Sequence, residues 1–217
     1  SGVLFNRVGS SAHEAILRDS MALALPDIPI LGCLRRVDSL DLPSRHLGLV
    51  QALEHQDLPA FIDLAADWID AYLDFEALAN LNGLAEPQTC LVTSPPLPPL
   101  GQHIAIARDA AFSFCYPHVL EGWYKAGANL EFFSPLEDEG PTKQADAIYL
   151  PGGYPELHAG SLAANCGFRA AMLAARDRGT VIFGECGGFM VLGNQLKTED
   201  GINHSMLGFL PVDTSFC

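Results

Sequence analysis

The residue set that most directly promises chemistry is a thiol framed by glycines, Gly184-Glu185-Cys186-Gly187-Gly188. The preceding run Val181–Phe183 is β-branched and aromatic, short enough for a buried strand. Beyond the thiol, Phe189, Met190, Leu192 and Leu196 recur at helical spacing. Cys186 is therefore expected on a sharp strand-to-helix turn, a nucleophile elbow with sulfur in place of a serine oxygen. Glycines are needed there because the turn leaves no room for a Cβ. A helix N-terminus at that point favours thiolate over thiol. The plainer alternative is a buried structural cysteine, and the glycine frame decides against it.

A thiol attacking a carbonyl needs donors for the oxyanion that forms. Leu150-Pro151-Gly152-Gly153 is a second glycine-rich turn, at the end of the predicted strand Ala147–Leu150. Strands of a parallel sheet end along one edge, so this turn reaches the elbow. The backbone N–H groups of Gly152, Gly153 and Gly187 are the candidate oxyanion hole. Glu185 precedes the nucleophile and must point elsewhere, in a structural or substrate-orienting role.

These turns sit in a regular rhythm. The spacing predicts strands at His103–Ala107, Leu130–Phe133, Ala147–Leu150 and Val181–Phe183, with helices over 117–126 and 166–178. Alternating β and α elements imply a doubly wound parallel sheet. An earlier part has strands at Gly2–Asn6 and Ile28–Leu34 and helices over 60–73 and from Asp74 through Leu81. A helix between those two strands is expected to open on a Ser11-x-x-Glu14 capping box and end before Pro26. Pro95, Pro96, Pro98 and Pro99 fall within residues 93–101, which read as a semi-rigid connector. The organisation expected is 1–92, a Pro-rich linker at 93–101, and 102–217.

Composition narrows the function. The chain of 217 residues is 49% hydrophobic, enough for packed cores, and has no long apolar span for a membrane helix. Its net charge of −14 speaks against nucleic acid. Residues 1–50 carry five arginines against five acidic residues, so the acidity lies in the remainder, and an anionic substrate is better received by the first part. Six cysteines without a C-x-x-C pair argue for reduced thiols in a cytoplasm, and against a zinc site or disulfide framework. The seven histidines lack metal-ligand spacing, so no metal site is expected within the chain.

LPGGYPELHAGSLAAN followed by GTVIFGECGGFMVLG resembles the class I glutamine amidotransferase domain. More narrowly, it resembles the form found in cobyrinic or hydrogenobyrinic acid a,c-diamide synthases. AFSFCYPHVLEGW and FFSPLEDEGP are similar to that family's opening βαβ unit. GVLFNRVGSSAHEAIL and LPSRHLGLVQALE are similar to the second half of its ATP-dependent, dethiobiotin-synthetase-like domain. The resemblance implies two doubly wound α/β domains, both incomplete in this chain. It makes Cys186 the glutaminase nucleophile, with Gly152, Gly153 and Gly187 as oxyanion-hole backbone. Asn6, at the end of its strand, is either an adenine contact or a turn cap. Arg45 and His46 are either near the synthetase site and domain interface or plain surface residues.

The activity implied is amidation of the a and c acetate carboxylates of a corrin ring, driven by ATP and Mg2+ with ammonia from glutamine. Two family elements are missing from the sequence: a G-x-x-x-x-G-K-[ST] phosphate loop and the histidine segment beyond the elbow. The chain thus reads as an internal piece of a longer enzyme. The expected partners are glutamine, a corrinoid polycarboxylate and the other segments of the polypeptide, with a homodimer left open. Nickel-sirohydrochlorin a,c-diamide synthase and cobyric acid synthase are rivals within the family. A DJ-1-like cysteine hydrolase or chaperone and a non-catalytic scaffold module are rivals of another class.

Overall fold

Apolar strands alternating with capped helices build two units, Ser1–Val92 and Thr93–Cys217. A computed structural model of the chain describes residues 1–43, 50–81 and 97–217. Arg45, His46 and the part of the expected linker before Leu97 lie outside the described residues.

In the first unit, β1 (Val3–Val8) pairs in parallel with β2 (Ile30–Arg35). Helix α1 (Ser11–Ala24) joins them, and α2 (Leu58–Tyr72) and α3 (Phe75–Ala79) follow. Asp57 and Asp74 cap the last two helices through side-chain bonds to the N–H groups of Ala60 and Ala77. Two local expectations fail here. Ser10, not Ser11, caps α1 by accepting the N–H of His13, and Glu14 turns instead to Arg18 (2.9 Å) and Arg35 (3.3 Å). Glu14 is thereby one position too far along the helix to reach back to the cap. Nor does β1 end at Asn6: it runs on to Val8, with a register break between Phe5 and Val8 and Arg7 at φ 59°.

The second unit holds a parallel sheet of β3 (His103–Ala107), β4 (Asn129–Phe133), β5 (Ala147–Leu150) and β6 (Val181–Gly184), in the order β4-β3-β5-β6. Alternate residues face opposite sides. Ile104, Ile106, Ala147 and Tyr149 pack against Trp123, Val119 and Leu120 of α4 (Pro117–Lys125). Ala105, Ile148 and Leu150 pack against Phe168, Met172 and Ala175 of α6 (Cys166–Asp177). Helices therefore cover both faces, as the doubly wound reading requires.

A short α5 (Ala159–Ala164) precedes α6, and α7 (Gly187–Leu192) follows the elbow. The helical spacing read through Leu196 is corrected: α7 stops at Gly193, and Leu196 is buried on β7 (Gln195–Lys197). A small sheet of order β8-β7-β9 completes the unit, with β8 (Asn203–Ser205) antiparallel and β9 (Asp213–Ser215) parallel to β7.

Candidate active site

The elbow begins where β6 leaves the sheet. Leu150 pairs with Gly184, and the Glu185 N–H donates to the Leu150 carbonyl at 3.1 Å. Cys186 then adopts φ 49°, ψ −114°, a left-handed backbone that costs a non-glycine residue on the order of 1–3 kcal/mol. Hydrogen bonds on both sides hold it. The Gly188 N–H reaches the carbonyls of Pro151 (3.0 Å) and Glu185 (2.8 Å), and the Met190 N–H reaches that of Cys186 (3.2 Å). A Cβ on Gly188 would lie 1.9 Å from the Leu150 oxygen, and one on Gly184 would lie 2.9 Å from the Gly188 carbonyl carbon. The helix can pass this close to the strand only with glycine at both places.

The two glycine turns meet. A Cβ on Gly152 would lie 3.2 Å from the Cβ of Cys186, and one on Gly187 would lie 3.1 Å from the Gly153 nitrogen. One on Gly153 would strike the Ala111 carbonyl oxygen at 2.1 Å, so the loop after β3 forms the floor of this turn. Asp109 shapes that loop: its carboxylate accepts the N–H groups of Ala111 (2.8 Å) and Leu136 (2.9 Å) and the Ser134 hydroxyl (3.2 Å). Phe114 donates its N–H to the Gly152 carbonyl at 2.9 Å, and its ring packs edge-on to Tyr154 at 5.2 Å. Gly152 and Phe114 form an antiparallel bridge, which fixes the Pro151-Gly152-Gly153 turn against the loop after β3. An exposed thiol on a turn packed against a second glycine turn is an arrangement suited to attack on a carbonyl, with nearby backbone N–H groups as the candidate oxyanion donors.

No described side chain is hydrogen-bonded to the Cys186 sulfur. His204 lies on β8, its ring 3.6 Å from the position of a Cβ on Gly160. His158 sits at the N-terminus of α5. The other described cysteines sit in different surroundings. Burial pushes the thiols of Cys33 and Cys115 up, Cys166 is bonded to the Ala164 carbonyl, and Cys217 to that of Thr198.

Glu185 is placed on the sheet face away from α7's core, where its carboxylate accepts the hydroxyl of Tyr149. Burial first, and then this bond, push Tyr149 ionisation well above the ordinary phenol range. The pair borders a cavity of about 340 Å³ lined also by Tyr116, His118, Trp123 and Phe183. Sequence reasoning missed this pair and the Asp109 loop, because both contacts join residues far apart in the chain.

In the first unit, Asn6 borders a separate cavity of about 270 Å³ with Arg7, Arg35, Arg36, Phe61 and Trp68. The Asn6 Oδ1 accepts the Arg7 N–H at 2.8 Å, and the residue is exposed at the cavity rim. The Trp68 indole donates to the Arg35 carbonyl at 3.1 Å, and the Arg35 Nε is buried without a partner. Among the described residues, no cluster of three metal-ligating side chains occurs, and no helix is long and apolar enough to cross a membrane.

A doubly wound sheet with a strained cysteine turn set against a Pro-Gly-Gly turn places the second unit among α/β domains with a nucleophile-elbow cysteine. Residues 103–217 match the CobB/CobQ-like glutamine amidotransferase domain, and the chain belongs to that family. It is 52% identical to the hydrogenobyrinate a,c-diamide synthase of Brucella anthropi, over 100% of this chain and 49% of the relative. It is 54% identical to that of Rhizobium meliloti, again over 100% and 49%. The protein of the same name from Rhodobacter capsulatus is 46% identical over 100% of this chain and 48% of the relative. The chain thus spans about half the length of the curated relatives it matches. Family membership disposes of the DJ-1-like reading.

Proposed function

We propose that this chain is part of a glutamine-dependent, ATP-driven amidoligase that amidates the a and c acetate carboxylates of hydrogenobyrinic acid. The observation that carries the reading is Cys186, exposed on a strained elbow that packs against the Gly152-Gly153 turn. The relatives' shared name supports the corrin substrate over the nickel-sirohydrochlorin and cobyric acid alternatives.

In this reading the Cys186 thiolate adds to the carboxamide carbon of glutamine, and the backbone N–H groups of Gly152, Gly153 and Gly187 receive the oxyanion. Collapse breaks the carbon–nitrogen bond, and the nitrogen leaves as ammonia with a proton from a general acid. Water then cleaves the thioester, giving glutamate and the free thiol. No described side chain hydrogen-bonded to the Cys186 sulfur supplies this acid and base, and in this reading other residues of the enzyme do so. ATP, when bound, activates a carboxylate that is otherwise a poor electrophile. The cavity around Asn6 fits part of a nucleotide: arginines offer charge to phosphate, the Asn6 NH2 offers a donor to a base, and Phe61 offers an apolar wall. Its Mg2+ would be held by groups outside the described residues.

The test is Cys186→Ala in the full-length enzyme. Glutamine-driven amidation should vanish while amidation driven by high ammonia persists. Loss of both, or of neither, overturns the assignment.

A further inference from the structure

Cys186 pays for its position with a left-handed backbone, so something must fix the residue before it. That residue, Glu185, ends a chain of contacts running back into the core. Tyr149 pairs in register with Phe183, and Glu185 lies two residues beyond Phe183, so all three side chains share one face of the sheet. Tyr149 is 2% exposed. Its ring meets Trp123 edge-on at 5.6 Å and stacks on Phe183 at 5.8 Å, which leaves the phenol one orientation. The hydroxyl donates to the Glu185 carboxylate, and among the described residues no cation pairs with that carboxylate. The backbone of Glu185 is gripped as well, its N–H by Leu150 and its carbonyl by Gly188.

We infer that Tyr149 and Glu185 are positioning residues that hold the Cys186 peptide in its strained, attack-ready conformation, resting on the reading of Cys186 as the glutaminase nucleophile. Leu150 follows Tyr149 and leads into the Pro151-Gly152-Gly153 turn. This side-chain hydrogen bond therefore adds, beyond the backbone ladder of β5 and β6, a tie between the end of β5 and the residue before the sulfur. Without it, the elbow can relax toward an ordinary turn, and the sulfur moves relative to the donors. Neither residue touches the reacting atoms, so the effect belongs to geometry and not to proton transfer.

The test uses the full-length enzyme with Tyr149→Phe, Glu185→Ala, Glu185→Gln and the double variant Tyr149→Phe/Glu185→Ala. Tyr149→Phe removes only a hydroxyl and keeps the ring packing, so it is the variant that should fold without difficulty. A misplaced nucleophile should lower kcat with glutamine about tenfold to a hundredfold in Tyr149→Phe and in Glu185→Ala. KM for glutamine and the ammonia-driven rate should stay within about twofold of the parent, because the synthetase chemistry does not pass through the elbow. Glu185→Gln keeps an acceptor oxygen and should restore most of the rate, and the double variant should fall no further than either single one. Peptide-resolved alkylation of Cys186 by iodoacetamide should change in the same variants, and this readout does not require the thiol to be catalytic. Unchanged kcat and alkylation in Tyr149→Phe would overturn the inference. So would parallel loss of the ammonia-driven rate and of thermal stability, which marks a purely structural pair. Failure of the glutaminase reading would appear separately, as glutamine-driven activity surviving in Cys186→Ala.

Discussion

Replacing Gly188 by alanine tests how closely α7 passes β5. The new Cβ would sit 1.9 Å from the Leu150 carbonyl oxygen and 2.6 Å from its carbon. Both are backbone atoms of a fully buried central strand, so no side-chain rotation relieves the overlap. The helix must move off the strand, and the bonds from the Gly188 N–H to Pro151 and Glu185 stretch with it. Overpacking costs typically about 1–3 kcal/mol, and a backbone-against-backbone clash belongs at the upper end. For a unit of this size, about 3 kcal/mol is a fall of roughly 10 °C in Tm. Differential scanning calorimetry of parent and variant measures it. Gly122→Ala is the internal control: this glycine lies in α4 with nothing within 4 Å of its added Cβ. It should gain about 0.5–1 kcal/mol from helix propensity. A Gly188→Ala Tm within about 2 °C of the parent would refute the close approach, and with it the explanation of the Gly-x-Cys-x-Gly frame.

Asp146 accepts the N–H groups of His103 (2.9 Å) and Gln102 (3.1 Å), and these bonds, the His103 one first, hold its carboxyl below the usual aspartate range. A depressed folded value stabilises fully above the unfolded pKa of about 3.9 and is lost as pH falls through the lower folded value. Asp146→Asn should therefore lower Tm at neutral pH and lessen the further loss measured below pH ~4, and a parallel pair of pH profiles would count against this. At the other cavity, Asn6→Ala in the full-length enzyme should weaken ATP binding by about 1–3 kcal/mol by calorimetry and narrow the preference for ATP over GTP. Unchanged affinity and preference would leave the Arg7 cap as the only role of Asn6.

The strands and the elbow were legible because burial writes itself into residue type. Ala147–Leu150 is buried at every position, and His103–Ala107 at all but its first, so both read as apolar runs. The glycines around Cys186 were legible because their spacing is dictated by steric exclusion. The region after the elbow was not. Leu196 kept helical spacing by coincidence, whereas Gly193 ends α7 and three-residue strands carry too little pattern to announce themselves. The capping-box spacing pointed to Ser11, whereas the cap is Ser10, one residue earlier, and a one-residue shift of a helix start leaves little trace in residue types. The Tyr149–Glu185 bond spans 36 residues, and nothing local to either residue points to the other.

The central claim is that Cys186 alone forms the covalent intermediate with glutamine. The most direct measurement is peptide mass spectrometry of the full-length enzyme after reaction with a glutamine analogue bearing an electrophilic ketone in place of the carboxamide. One adduct is expected, on the peptide containing Cys186, blocked by excess glutamine and accompanied by loss of glutamine-driven but not ammonia-driven amidation. An adduct on Cys33, Cys90, Cys115, Cys166 or Cys217 with Cys186 unmodified would contradict it.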